Sequence, residues 1–203
     1  MSLAGVILAG GSSQRMGTPK ALLDFRGEPF VVRILEAFEA LDLKHRAVVV
    51  GPDAAPVRAA LAGRDCLIVE NPDVAGGPIA SLRAALAALH PISPLAALVW
   101  PVDLPHVRVA TVEQLLEAYR HGGAKVVVPT FAERRGHPVI WDESLFAEIA
   151  TSGAAAREGA RAVLHAHLAE AAMVPVDDPA VADAVNTPDD YERLVRQWNR
   201  DIY

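Results

Sequence analysis

The sequence predicts an α/β protein, a Rossmann-like three-layer α/β/α arrangement around a mostly parallel central sheet. Short, continuous apolar runs recur along the chain, at Leu3–Leu8, Ala47–Val50, Leu67–Val69 and Leu95–Trp100. Runs of that kind read as strands covered on both faces. Segments with apolar residues at helical spacing lie between them, and this alternation implies βαβ units with right-handed crossovers and helices on both faces of the sheet. The first apolar run also opens directly into a glycine-rich, basic loop. In such a fold, ligands sit at the carboxyl ends of the strands, where the strand order reverses.

Taken in order, Leu3–Leu8 is the first strand, and Phe30–Phe38 follows as a helix with Pro29 suited to its first turn. Ala47–Val50 is the second strand, ended by Gly51-Pro52-Asp53, and Ala55–Ala62 is a short helix. Cys66–Val69 is the third strand, with Cys66 a small buried residue. Gly76-Gly77-Pro78 opens an alanine-rich helix from Ile79 to Leu89. Leu95–Trp100 is the fourth strand and Val109–Arg120 the next helix. Beyond Ala124–Pro129 the pattern is less regular: Phe131–Gly136 is polar and His137–Trp141 reads as a strand. Phe146–Ala150 and Arg157–Leu168 then read as helices, Met173–Val176 as a short strand and Pro188–Trp198 as a closing helix. The turn carrying Arg134 and Arg135 reads equally as a substrate lip or a solvated hairpin.

With 203 residues and no repeat or linker, residues 1–203 are expected to form one domain. Hydrophobic residues are 52% and charged residues 22%, a globular composition. A formal net charge of −6 argues against a general nucleic-acid binder. No apolar run reaches the roughly 18 residues needed to span a bilayer. Gly10 and Gly11 interrupt the first apolar run, which argues against a signal peptide. The single Cys66 permits no intramolecular disulfide, so a cytoplasmic location is expected.

The stretch from Leu8 to Lys20, Leu-Ala-Gly-Gly-Ser-Ser-Gln-Arg-Met-Gly-Thr-Pro-Lys, organises the rest. Its backbone N–H groups can form a concave nest for anions, and Arg15 and Lys20 add full positive charges. A strand, a glycine-rich basic loop and a helix suit a polyphosphate. A Walker loop is excluded because Thr18 and Pro19 separate Gly17 from Lys20, and the glycine spacing is not that of a dinucleotide fingerprint. The stretch does resemble the signature L-A-[AG]-G-x-[SG]-x-R-M-G-x-x-K of the MobA-like nucleotidyltransferases, which include molybdenum-cofactor guanylyl- and cytidylyltransferases.

Asp103, in Trp-Pro-Val-Asp-Leu-Pro, follows the most hydrophobic strand. By position it is either a turn aspartate or a Mg²⁺ ligand. The resemblance implies the metal role, since the family's D-x-P acid binds the ion. Asn186-Thr187-Pro188-Asp189-Asp190 is a helix start with Thr187 as N-cap. It resembles the family's [DN]-x-[DN]-T-P-E-D motif, which implies a metal role for Asn186, although the motif's first polar position is Ala184 here. The resemblance further implies that Leu8, Ala9, Gly10, Gly11, Ser12 and Lys20 bind nucleotide, as do Asn71, Gly76, Gly77 and Ser81. Arg15, Lys20 and Asp103 would be catalytic, and His137 of Gly136-His137-Pro138 would lie near the acceptor. The expected activity is transfer of a nucleotidyl group, GMP favoured over CMP, from the Mg²⁺ complex of GTP or CTP to a phosphorylated acceptor, with molybdopterin favoured. A sugar phosphate or phospholactate as acceptor, or a non-catalytic nucleotide-binding regulator, are the alternatives.

Overall fold

Alternation along the strands decides which side chain faces which layer. In β1 (Leu3–Ala9), Ala4 and Val6 point to one side of the sheet while Leu3 and Ile7 point to the other. Both sides are buried, so the strand is apolar throughout. The structure is a computed structural model that describes residues 2–11 and 17–200. Its strands continue with a small hairpin, β2 (Asp24–Phe25) and β3 (Glu28–Pro29), then β4 (His45–Val50), β5 (Leu67–Glu70), β6 (Ala96–Pro101) and β7 (Val126–Phe131). A short β8 (Arg134–Arg135), β9 (Val139–Asp142) and β10 (Ala171–Pro175) complete them. The helices are α1 (Phe30–Ala40), α2 (Ala55–Ala60), α3 (Gly77–Leu89), α4 (Val109–Gly122), α5 (Phe146–Thr151), α6 (Gly153–Glu158), α7 (Arg161–Ala166) and α8 (Pro188–Arg200).

The main sheet has the order β10-β7-β9-β6-β1-β4-β5, with β8 paired to β7. β1 runs parallel to both β4 and β6, β4 parallel to β5, and β7 parallel to β10, while β9 is antiparallel to its neighbours β6 and β7. The sheet is therefore mostly parallel, as the strand–helix alternation requires. Order reverses at β1: the chain crosses first to β4 and β5 on one side, then to β6 on the other. The carboxyl ends of β1 and β6 thus open one crevice.

Each face of the sheet has its own core. Helices α1, α2, α4 and α8 pack with Ile7, Val48, Leu98, Trp100 and Ile140, while α3, α5, α6 and α7 pack with Val6, Val49, Val99, Val139 and Trp141. Phe38 lies directly on Gly5, where an added Cβ would stand 2.5 Å from its ring. That close approach brings Phe38 edge-on to Trp100, with ring centroids 5.9 Å apart. No helix among the described residues is long and apolar enough to cross a membrane.

Several boundaries differ from expectation. The helix expected over 157–168 is two short helices, divided where Gly159 takes φ 77°. Pro29 ends β3 and stands just before the first turn of α1. Cys66 precedes β5 and is half-buried. The polar turn after β7 is a β-hairpin closed by Ala132 and Glu133, both at positive φ.

The carboxyl-terminal segment is fastened to the sheet by Asp178, a buried acid. The start of α4 has no capping side chain of its own. Asp178 Oδ2 accepts from the Arg108 N–H at 3.0 Å and from the Thr111 hydroxyl at 2.7 Å, and its Oδ1 accepts from the Ala180 N–H at 3.2 Å. Asp178→Ala would strand these donors in a dry site and should cost about 3 kcal/mol. Thermal melting should then fall by about 6–12 °C. A second tie is His167, whose Nδ1 meets Glu170 Oε2 at 2.7 Å and whose Nε2 meets Glu148 Oε2 at 2.8 Å. The hydrogen bonds to Glu170 and Glu148 raise the pKa of His167. A raised histidine pKa contributes stability below the unfolded value of about 6.5 and loses it as pH climbs through the folded value. The melting temperature should therefore fall above neutral pH by more in the native protein than in His167→Gln, by a small margin because the pair is near the surface.

Candidate active site

The site is built where β1 and β6 end. Just past β6, the Val102 N–H donates to the carbonyl of Leu8 near the end of β1 at 3.1 Å, so the two strand ends leave the sheet side by side. The indole Nε1 of Trp100, itself fully buried, donates to the Leu104 carbonyl at 2.9 Å and fixes the turn between them. Asp103 stands at the crest of that turn. Its carbonyl accepts from the Val185 N–H at 2.9 Å, which places the next residue, Asn186, beside it.

Asn186 is also held from the helix side. Asp190 accepts from the Asn186 N–H at 3.0 Å and the Thr187 N–H at 2.9 Å, and the Thr187 hydroxyl accepts from the Asp190 N–H. These bonds, that from Asn186 first, hold the Asp190 carboxyl down at about 2. Thr187 is thus the N-cap of α8 in a reciprocal capping arrangement. From the other side of the crevice, a 3₁₀ turn at Lys20–Leu22 presents Lys20. Its Nζ donates to Asn186 Oδ1 at 2.8 Å and lies 3.3 Å from Asp103 Oδ2. Three sequence-predicted residues therefore converge on one point, with the Lys20 and Asp103 side chains 15% and 23% exposed.

Asp103 Oδ2 and Asn186 Oδ1 are hard oxygen donors already facing a cation. They suit Mg²⁺ or Mn²⁺, ions that retain waters and substrate phosphates in their shell. No cluster of three or more His, Cys, Asp or Glu among the described residues could hold a metal by itself. Substrate oxygens would have to complete such a shell.

This centre lies in a cleft of about 1230 Å³. Leu8, Ala9, Gly10 and Gly11 line it, as do Gly76, Gly77 and Ser81 at the start of α3. The two walls touch: a Cβ on Gly10 would stand 3.1 Å from the Ser81 hydroxyl. Asn71 does not line the cleft. It is buried behind this wall, where its amide donates to the Ser81 hydroxyl and the Asp73 carbonyl, both at 3.1 Å. Ser12 and Arg15 lie outside the described residues.

On the other side, the hairpin residues divide their work. Arg134 donates to the Ala182 carbonyl at 3.0 Å and the His137 N–H to that of Val181 at 2.9 Å, which seats the hairpin on the carboxyl-terminal segment. Arg135 and His137 line the cleft. The crowded cleft walls push the His137 pKa down, against the pull of the Asp103 carboxylate. Trp141, Arg157, Arg161 and His165 line the same cleft and were not singled out from the sequence as site residues. The one available signal was Gly159, a helix breaker inside the apparent 157–168 pattern. Arg83 was missed too. It ties α3 to the α5–α6 junction by donating to the Ile149 and Ser152 carbonyls, at 2.9 and 2.8 Å.

Residues 5–172 match the MobA-like NTP transferase domain family. Among curated relatives, nicotine blue oxidoreductase of Paenarthrobacter nicotinovorans is 30% identical over 199 residues, 95% of this chain and 96% of that protein. Rv0371c of Mycobacterium tuberculosis is 31% identical with a TM-score of 0.80, and the match covers 97% of this chain and 99% of that one. The same protein has been solved in complex with manganese, with a TM-score of 0.76 to this chain. Molybdopterin-guanine dinucleotide biosynthesis protein A of Archaeoglobus fulgidus shares the fold, with a TM-score of 0.70 at 21% identity over 97% of this chain and 99% of that one.

Gly136 gives a direct check on how the hairpin is seated. A Cβ there would come within 2.3 Å of the Val181 carbonyl oxygen, a backbone atom that cannot swing aside. Gly136→Ala should lower the melting temperature by several degrees, at a cost of about 1–3 kcal/mol. The control Gly122→Ala, where a Cβ meets nothing within 4 Å, should leave it nearly unchanged.

Proposed function

Because this chain belongs to the MobA-like NTP transferase family, we propose that its cleft transfers a nucleotidyl group from a nucleoside triphosphate to a phosphorylated acceptor. The observation that carries this reading is the meeting of Lys20, Asp103 and Asn186 at the carboxyl ends of β1 and β6. An acceptor phosphate oxygen attacks the α-phosphorus. One P–O bond forms, the bond to the β-phosphate oxygen breaks, and pyrophosphate leaves. The attacking oxygen is already ionised, so no general base is needed. The parts fit that demand: the described cleft offers cationic and backbone groups and no hydroxyl, thiol or imidazole set arranged for covalent catalysis.

Lys20 and Arg15 neutralise phosphate charge as it shifts toward the leaving group. Asp103 and Asn186 would hold a Mg²⁺ or Mn²⁺ ion, which when bound supplies further charge neutralisation and alignment. Gly10, Gly11, Gly76 and Gly77 let the backbone approach the nucleotide, with Leu8, Ala9 and Ser81 beside them, and Ser12 is assigned to nucleotide binding as well. Asn71 acts behind them by holding Ser81. His137 faces the acceptor. GTP is favoured over CTP on the Leu-Ala-Gly-Gly form of the first loop, and molybdopterin is favoured as acceptor, in a cytoplasmic setting. Similarity to nicotine blue oxidoreductase over 95% of this chain favours a second reading. In that reading the same cleft serves an oxidoreductase.

Thermal shift with GTP, CTP, ATP and UTP, with and without Mg²⁺, tests the proposal. A hundredfold excess over Kd contributes about 2.7 kcal/mol, or about 5–11 °C for a protein of this size. A Mg²⁺-dependent shift with GTP is expected, and no shift with any of the four nucleotides would favour the second reading. Asp103→Ala should lower pyrophosphate release by about 100-fold or more while the circular dichroism spectrum stays native. Undiminished release by that variant would remove Asp103 from the mechanism.

A further inference from the structure

Most of the described arginine side chains are already occupied. Arg33, Arg46, Arg58, Arg64, Arg108 and Arg193 pair with carboxylates, Arg83 and Arg134 donate to backbone carbonyls, and Arg26 and Arg196 are engaged as well. Among the described side chains, those of four arginines make no hydrogen bond or ion pair: Arg120, Arg135, Arg157 and Arg161. Arg120 lies in the last turn of α4, where a cation complements the helix carboxyl end. The other three line the cleft.

That concentration occurs in a chain of net charge −6. Arg135 sits on β8, which is paired to the carboxyl end of β7, and β7 lies two strands from β6. Arg157 and Arg161 flank the break at Gly159, one near the end of α6 and the other at the start of α7. The apolar side chains Val128, Val139, Trp141 and Leu164 line the cleft with them. Glu158 and His165 also line this side, leaving three guanidinium groups against one carboxylate.

We infer that Arg135, Arg157 and Arg161 form a second anion subsite, so that the acceptor carries an anionic group at each end of a partly apolar body. This rests on the transferase reading for its meaning. One end of the acceptor is the phosphate that attacks near Lys20, and the other is a second anionic group, such as an ionised dithiolene, a carboxylate or a phosphate, held by the arginines. Guanidinium groups suit that task because they present paired donors to carboxylate and phosphate oxygens.

The test is calorimetric titration of inorganic phosphate into protein saturated with Mg²⁺ and a non-hydrolysable nucleoside triphosphate, which fills the Lys20 side. R157Q/R161Q should weaken phosphate binding at least tenfold, and R135Q, on a different element, should weaken it in the same direction. R120Q should leave it unchanged, and the nucleotide Kd should be the same in all variants. Equal phosphate affinity in the native protein and R157Q/R161Q overturns the subsite, as does no phosphate binding by the native protein or an equal loss in R120Q. If nucleotide itself does not bind, the transferase reading fails. The same titration on nucleotide-free protein then judges the arginine subsite on its own.

Discussion

A single backbone hydrogen bond, from the Val185 N–H to the Asp103 carbonyl at 2.9 Å, ties the end of the chain to the centre of the sheet. It sets Asn186 beside Asp103, where the Lys20 ammonium meets both side chains. Its geometry depends on rigid supports at both ends. On one side, Trp100 fixes the turn through Leu104, and Trp100 is itself immobilised by Phe38 resting on Gly5. On the other, Asp178 anchors the 3₁₀ turn at Pro179–Ala182 to the start of α4, and Asp190 caps α8 from within. A polar site held to this precision rests on packing several residues deep.

The cleft is asymmetric in its construction. Its β1–α3 side is mostly glycine and backbone, suited to close approach by a flat ring and a polyphosphate. Its β8 and α6–α7 side is made of long side chains, with exposed guanidinium groups above buried valines and a tryptophan. Arg83 links the two by reaching from α3 to the α5–α6 junction. An enzyme that joins two different substrates needs two such unlike surfaces meeting at one charged centre.

Much of this was legible from residue order. The apolar runs became β1, β4, β5 and β6, and Thr187 became a helix cap, because both depend on neighbours within a few positions. The 157–168 segment was misread because its apolar spacing continues across Gly159, while the backbone there turns at φ 77°. Asn71 resembled a ligand residue in sequence, yet its amide is consumed by Asp73 and Ser81. Which partner a buried amide takes is settled by packing.

The sequence by itself determined the α/β class, the family signature from Leu8 to Lys20 and the residue types at the centre. Strand periodicity, helix spacing and a glycine-rich loop are local properties, fixed by sterics and hydrogen bonding among adjacent residues. Only the tertiary structure decided that Lys20 meets Asp103 across 83 positions and Asn186 across 166. It also decided that Arg135, Arg157 and Arg161 share a cleft. Those encounters follow from strand order and from how each helix crosses the sheet, and both are set by burial of the two apolar faces together.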